Sequence, residues 1–95
     1  MAWTVQLQNE RGTPVLPDCA LIEFATVPDE GRFILLRYLD RYGDTYFNGL
    51  QMSDFLADWE KLNPPGDQRQ QWKLVCDMAY HCQAGPHLYL RFIGD

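Results

Sequence analysis

The residues with chemical potential in this chain are its cysteines, its histidines and a cluster of tyrosine, arginine and aspartate between positions 37 and 48. Cys76 and Cys82 are six apart within one helical pattern, roughly 240° around its axis, so they cannot share a metal or form a bridge. His81, Cys82 and His87 form a compact Cys/His group across Gly85-Pro86. A zinc site needs four ligands, or three and a water, at recognisable spacing, and the chain has neither Cys-x-x-Cys nor His-x-x-x-His. Cys82 is accounted for as a small core hydrophobe. His81 reads as a surface side chain four residues from Asp77, and His87 as the polar start of a strand. Asp40 and Asp44 could face one another as paired carboxylates do in glycosidases, but turn chemistry explains Asp44, because an Asp side chain accepts backbone hydrogen bonds there. No calcium loop and no Gly-rich phosphate loop accompanies them. These spacings call for no catalytic residue, no metal and no cofactor.

The Tyr/Arg/Asp cluster carries more. After the apolar run Phe33-Ile34-Leu35-Leu36, the sequence becomes a near-repeat of four: Arg37-Tyr38-Leu39-Asp40, Arg41-Tyr42-Gly43-Asp44, Thr45-Tyr46-Phe47-Asn48. Three of the five tyrosines fall here. Tyr and Arg are enriched at binding hot spots, because they bury large area with few rotors and keep a polar tip. Arg37, Tyr38, Arg41, Tyr42, Asp44 and Tyr46 are therefore the candidate partner-binding residues. The plainer account pairs Tyr38 with Tyr46 across two strands on an outer sheet face, with Arg37 and Arg41 neutralised locally by Asp40 and Asp44.

The elements that must position this cluster follow from periodicity. Residues 3–8 alternate, with Trp3, Val5 and Leu7 opposite Thr4, Gln6 and Gln8, which is a half-buried strand. Asn9-Glu10-Arg11-Gly12 is a turn in which Gly12 can supply a positive φ. Pro14 and Pro17 make 13–18 an edge or a loop. Residues 19–25 read as a second strand, and Val27–Gly31 as a turn. Residues 32–38 read as a central strand and 45–48 as its hairpin partner across Arg41–Asp44. A helix over 33–42 is the competing reading, disfavoured by aromatic content and turn chemistry.

From Met52 the period lengthens: Met52, Phe55, Leu56, Trp59 and Leu62 form one helical stripe. Ser53 is the expected cap, and Asn63-Pro64-Pro65-Gly66 the stop. A second helix runs from Asp67 to about Ala84, burying Trp72, Val75, Met78, Ala79 and Cys82, with Gly85 as its C′ residue. His87–Ile93 alternates again and closes the fold as a strand, beside a strand of the N-terminal half, with parallel pairing to one of them the alternative left open. The expected architecture is α+β in a single domain spanning 1–95. It has a single-layer, mainly antiparallel sheet of about five strands with two helices on one face, in the order β-β-β-β-α-α-β.

Composition narrows the partners. A net charge of −5 disfavours nucleic acid, whose phosphates require clustered Lys and Arg. It also disfavours an anionic membrane. No apolar run approaches the roughly 20 residues that span a bilayer, and the N-terminus lacks a signal peptide. Three cysteines, an odd number, fit a reducing compartment. The expectation is a complete, cytoplasmic chain whose partner is a protein with a basic surface, or a second copy of itself.

The segments Tyr42–Gln51, YGDTYFNGLQ, and His87–Asp95, HLYLRFIGD, are together distinctive. They resemble a group of small uncharacterised bacterial proteins that pair a Tyr-Gly-Asp-Thr turn with a C-terminal strand ending Phe-Ile-Gly-Asp. The resemblance implies a bacterial setting and carries no activity with it. Polymorphic-toxin immunity proteins are similar in size and acidity. The function expected is thus a non-enzymatic interaction domain, with an immunity- or antitoxin-like inhibitor as its concrete form. The rival is a small enzyme or ligand-binding domain using His81, His87 and nearby acids. A cleft in which His81, His87 and Asp77 converge would separate the two.

Overall fold

The computed structural model describes residues 2–16, 20–23, 33–40, 42–62 and 66–94. Within these lie strands β1 (Ala2–Asn9), β2 (Ala20–Glu23), β3 (Asp44–Asn48) and β4 (Leu88–Gly94), and helices α1 (Met52–Lys61) and α2 (Arg69–Ala84). The class is α+β. The sheet is open and antiparallel, in the order β2-β1-β4-β3.

Alternation places one face of that sheet in the core. Trp3, Val5, Leu7, Ile22, Phe47, Leu90 and Phe92 are all buried. Both helices cover this face: the Phe55 and Trp59 rings of α1 lie 5.9 and 6.1 Å from Phe92, and α2 packs along β1, β2 and β4. The helices are joined by Trp59 and Trp72, whose centroids are 4.1 Å apart, and the Trp59 indole donates to the Trp72 carbonyl at 3.2 Å. Aromatic contacts of this kind add about 0.5–1.5 kcal/mol each beyond area burial.

Several sequence expectations are met locally. Gly12 adopts φ +80 in the turn after β1, with its N–H on the Asn9 carbonyl at 3.0 Å. Pro14 forms an isolated bridge to Gln8 at the sheet margin. The predicted turn at Val27–Gly31 and the Pro64-Pro65 stop lie outside the described residues.

Others are corrected. The strand expected over 32–38 is absent over its described residues: Leu36–Tyr38 is a single 3-10 turn. With it goes the central hairpin, because β3 pairs with β4 and not with an upstream strand. The sheet has four described strands, one fewer than expected, in the order β-β-β-α-α-β. The C-terminal strand does join the N-terminal one, and it runs antiparallel to both neighbours.

Ser53 does not cap α1. A 3-10 turn at Gly49–Gln51 leads into the helix, and Asn48 and Gln51 form a capping box, with Gln51 N–H donating to Asn48 Oδ1 at 3.1 Å and Asn48 N–H to Gln51 Oε1 at 2.8 Å. Asp67 lies in a separate 3-10 turn, Gly66–Gln68, ahead of α2. Gly85 ends α2 in an extended conformation, φ −105 and ψ 146, and the left-handed residue is His87 at φ +58.

One buried carboxylate explains why 33–38 is not a strand. Asp58 is fully buried on α1. It accepts the N–H groups of Ile34, Leu35 and Leu36 at 3.0, 2.7 and 3.1 Å. Consecutive amides of a strand point to opposite sides, so three in a row reach one carboxylate only if the backbone curls. The curl starts at Leu35, φ −112 and ψ −37. It makes an anion-binding concavity of the kind successive N–H groups form. Lys61 lies 3.8 Å from Asp58 Oδ1 and offsets part of the buried charge.

Candidate binding surface and cleft

Five of the six candidate residues, Arg37, Tyr38, Tyr42, Asp44 and Tyr46, are carried by the curl, the bend that follows it, and β3. The curl is tied to the sheet by the Trp3 indole, which donates to the Asp40 carbonyl at 2.9 Å, and by Asp40 N–H on Thr45 Oγ1 at 3.3 Å. Asp40 Oδ1 accepts the Tyr42 N–H at 3.0 Å, which sets the bend into β3. Asp40 therefore serves the backbone and does not face Asp44 as a catalytic partner.

Tyr38, Tyr42 and Tyr46 are 62%, 83% and 53% exposed. The cross-strand pair of Tyr38 with Tyr46 is not formed, since Tyr38 belongs to the 3-10 turn. Instead each ring stacks under a guanidinium. Arg37 Cζ lies 5.0 Å from the Tyr38 centroid, and its Nη2 donates to the Tyr38 hydroxyl at 3.1 Å. Arg91 Cζ lies 5.5 Å from the Tyr46 centroid. Arg37 thus pairs with its own neighbour and not with an aspartate. Arg41 lies outside the described residues.

Arg91 is the residue that sequence reasoning passed over. Register places Gln6, Arg91 and Tyr46 in one row across three strands, with Thr4, Ile93 and Asp44 in the next. Arg91 donates to Asp44 Oδ2 through Nε at 3.1 Å and also through Nη2. The Asp44 hydrogen bond holds its guanidinium above the ordinary range. The signal available in the sequence was the alternation Leu90-Arg91-Phe92, which turns Arg91 away from the core. Its partners follow only from topology.

This second face of the sheet has no helix on it among the described residues. It exposes Leu21, Asp44, Tyr46 and Asn48, half-covers Thr4, Gln6, Tyr89 and Arg91, and buries Gln8. Gln8 donates to Gln6 Oε1 at 2.9 Å.

A cleft of ≈ 320 Å³ opens where β3 ends and α2 gives way to β4. Asn48, Leu50, Gln83, His87 and Tyr89 are among its walls. Two glycines shape its floor: a Cβ at Gly49 would stand 2.9 Å from the Cys82 carbonyl oxygen, and one at Gly85 2.5 Å from Leu88 Cδ1. His87 reaches outward, its Nδ1 3.6 Å from Glu10 Oε2, with both side chains exposed. His81 and Asp77 are exposed on α2 and do not line the cleft. The convergence that an enzyme using these histidines requires is therefore not formed.

Cys82 is buried, its thiol on the Leu88 carbonyl at 3.4 Å, and burial pushes its pKa up to about 11. Cys76 is half-buried and also raised, by burial first and then by Asp77 and Glu60. Raised thiols are poor nucleophiles. Among the described residues no three His, Cys, Asp or Glu side chains come close enough to hold a metal ion, and no helix is long and apolar enough to cross a membrane. Comparison with protein-family models, curated proteins and solved structures yields no match.

Proposed function

We propose that this chain is a non-enzymatic interaction domain that binds a basic surface of another protein through the tyrosine-bearing margin of its sheet. An immunity- or antitoxin-like inhibitor is the concrete form of that reading. The observation that carries it is the exposure of Tyr38, Tyr42 and Tyr46 on three successive pieces of one segment. Large exposed aromatics on a protein surface mark interaction sites when they concentrate in one region. Two of the rings are already oriented by stacked guanidinium groups, which lowers the entropic cost of docking. The net charge of −5 supplies long-range attraction to a basic partner and makes the association salt-dependent.

The test is affinity capture from the native host with wild-type protein and a Tyr38→Ala/Tyr46→Ala variant, followed by titration of the captured protein at low and high salt. The expected result is a partner held by wild-type, weakened by salt and lost by the variant. Equal retention by both proteins, or binding that strengthens with salt, would sink the proposal.

A further inference from the structure

We infer that two copies of this chain join edge to edge through β3, antiparallel, about a two-fold axis at Tyr46. β3 is an edge of the sheet, and among the described residues it pairs only with β4. Which of its backbone groups are left unpaired follows from one bond. Gly94 N–H donates to the Gly43 carbonyl at 2.8 Å, so this opposed pair is of the hydrogen-bonded kind. Hydrogen-bonded and non-bonded pairs alternate along an antiparallel ladder. Thr45 and Phe47 then bond to β4, whereas the backbone groups of Asp44, Tyr46 and Asn48 point away from the sheet. Two further bonds agree with this phase. Asn48 N–H is taken by Gln51, and across the sheet Leu7, an odd position of β1, accepts Val15 N–H away from β4 at 3.0 Å.

Proteins guard open edges with proline, lysine, a bulge or a covering loop. The strand Asp44–Asn48 has none of these residues, and its one charge is neutralised by Arg91.

The outward groups are self-complementary about Tyr46. In an antiparallel pair centred there, Tyr46 exchanges two hydrogen bonds with Tyr46 of the second copy. Asp44 N–H meets the Asn48 carbonyl of the second copy, twice by symmetry. No like charges oppose one another, because Asp44 faces Asn48. Beyond the paired strands, which end at Asn48, the same two-fold brings the bend at Tyr42 of one copy towards the 3-10 turn that carries Leu50 of the other. Tyr42 and Leu50 are the two most exposed large apolar side chains described, at 83% and 95%. Each stands four residues from the pivot, on opposite sides. That placement makes a second copy the fitting occupant, since any other strand would need its own apolar groups at both ends. The two-fold axis runs perpendicular to the sheet, so the helices of both copies stay on one side and the Tyr46/Arg91 rows become adjacent on the other.

The inference concerns the edge of β3 and holds whether or not a basic partner binds the sheet margin. It is tested on the full chain by sedimentation equilibrium from about 1 µM to about 1 mM, at low and high salt, with amide exchange measured in parallel. Wild-type should move from the 11.1 kDa monomer towards twice that mass. Salt should tighten the association, because two chains of net charge −5 repel one another; binding to a basic partner responds to salt in the opposite sense. Leu50→Glu should weaken association about tenfold or more, since a tenfold change is only 1.4 kcal/mol. Tyr46→Pro removes an outward N–H, which an edge strand tolerates, and should abolish association. In wild-type the Asp44 and Tyr46 amides should gain protection with concentration, while Thr45 and Phe47 are protected throughout. A monomer at every concentration overturns the inference. So does a dimer as tight in Leu50→Glu as in wild-type, or one whose Asp44 and Tyr46 amides exchange as in the monomer.

Discussion

The two halves of the segment 33–50 look alike in sequence and are held by opposite means. Phe33–Asp40 and Asp44–Asn48 are both rich in aromatic and apolar residues, and both satisfy the local preference for strands. The second half forms one, because β4 offers it a ladder. The first half curls, because Asp58 gathers three of its amides at once. Propensity differences between strand formers amount to about 1 kcal/mol. A hydrogen bond to a charged acceptor contributes about 1.5–3 kcal/mol, so three of them decide the matter. A single buried carboxylate thus overrules the strand pattern of six or seven residues.

Removing that carboxylate breaks the first half and should give the largest effect. Asp58→Ala strips the acceptor from three amides and is expected to cost about 3–5 kcal/mol in urea denaturation. Asp58→Asn keeps one acceptor oxygen and should cost less. In either variant the Ile34, Leu35 and Leu36 amides lose exchange protection first, while those of Thr45 and Phe47 follow only with global unfolding. Equal, simultaneous loss in both halves would show that they are not separately held.

Alkaline pH loosens the backing of the second half and should give an intermediate effect. The Cys82 carbonyl packs against the site of Gly49, where the chain leaves β3, and the Cys82 thiol is raised from 9.0 to about 11 by burial. A group whose folded pKa lies above its unfolded value keeps its full contribution below the lower value and loses it as pH rises towards the upper. Stability should therefore hold up to about pH 9 and fall between 9 and about 11. Cys82→Ala, though less stable throughout from the lost volume, should flatten that limb. An unchanged slope in the variant assigns the alkaline loss to other groups.

The smallest effect belongs to the outer face of the second half. Arg91→Ala releases Asp44 and the Tyr46 ring, but the pair is solvent-accessible and screened. A loss of only about 0.5–1 kcal/mol is expected. A double-mutant cycle with Asp44→Ala measures it. A coupling energy several times larger would mean that the face is organised more tightly than an exposed pair allows.

Legibility followed the same division. The alternation of Trp3-Val5-Leu7 and of Leu90-Phe92 identified β1 and β4, and both helices were readable from their stripes, since period 2 and period 3.6 are properties of the chain alone. Asp58 was not readable as a structural centre. Its one signal is position: it lies three residues after Phe55 and four before Leu62, at the border of the apolar stripe. An aspartate there is ordinarily on the solvent side, and only the arrival of Ile34–Leu36 makes burial tolerable. Arg91 was likewise readable as outward-facing but not as the partner of Asp44, which lies 47 residues away in the chain.

Periodicity and residue type alone set the fold class, the two helices, the central strands β1 and β4 and the supply of tyrosines. The tertiary structure alone decided which strand β3 would pair with, that Asp58 would be buried, and that Arg91 would orient Tyr46. Each of those depends on groups brought together from distant positions, and the free energy of such contacts exceeds the local preferences they overrule.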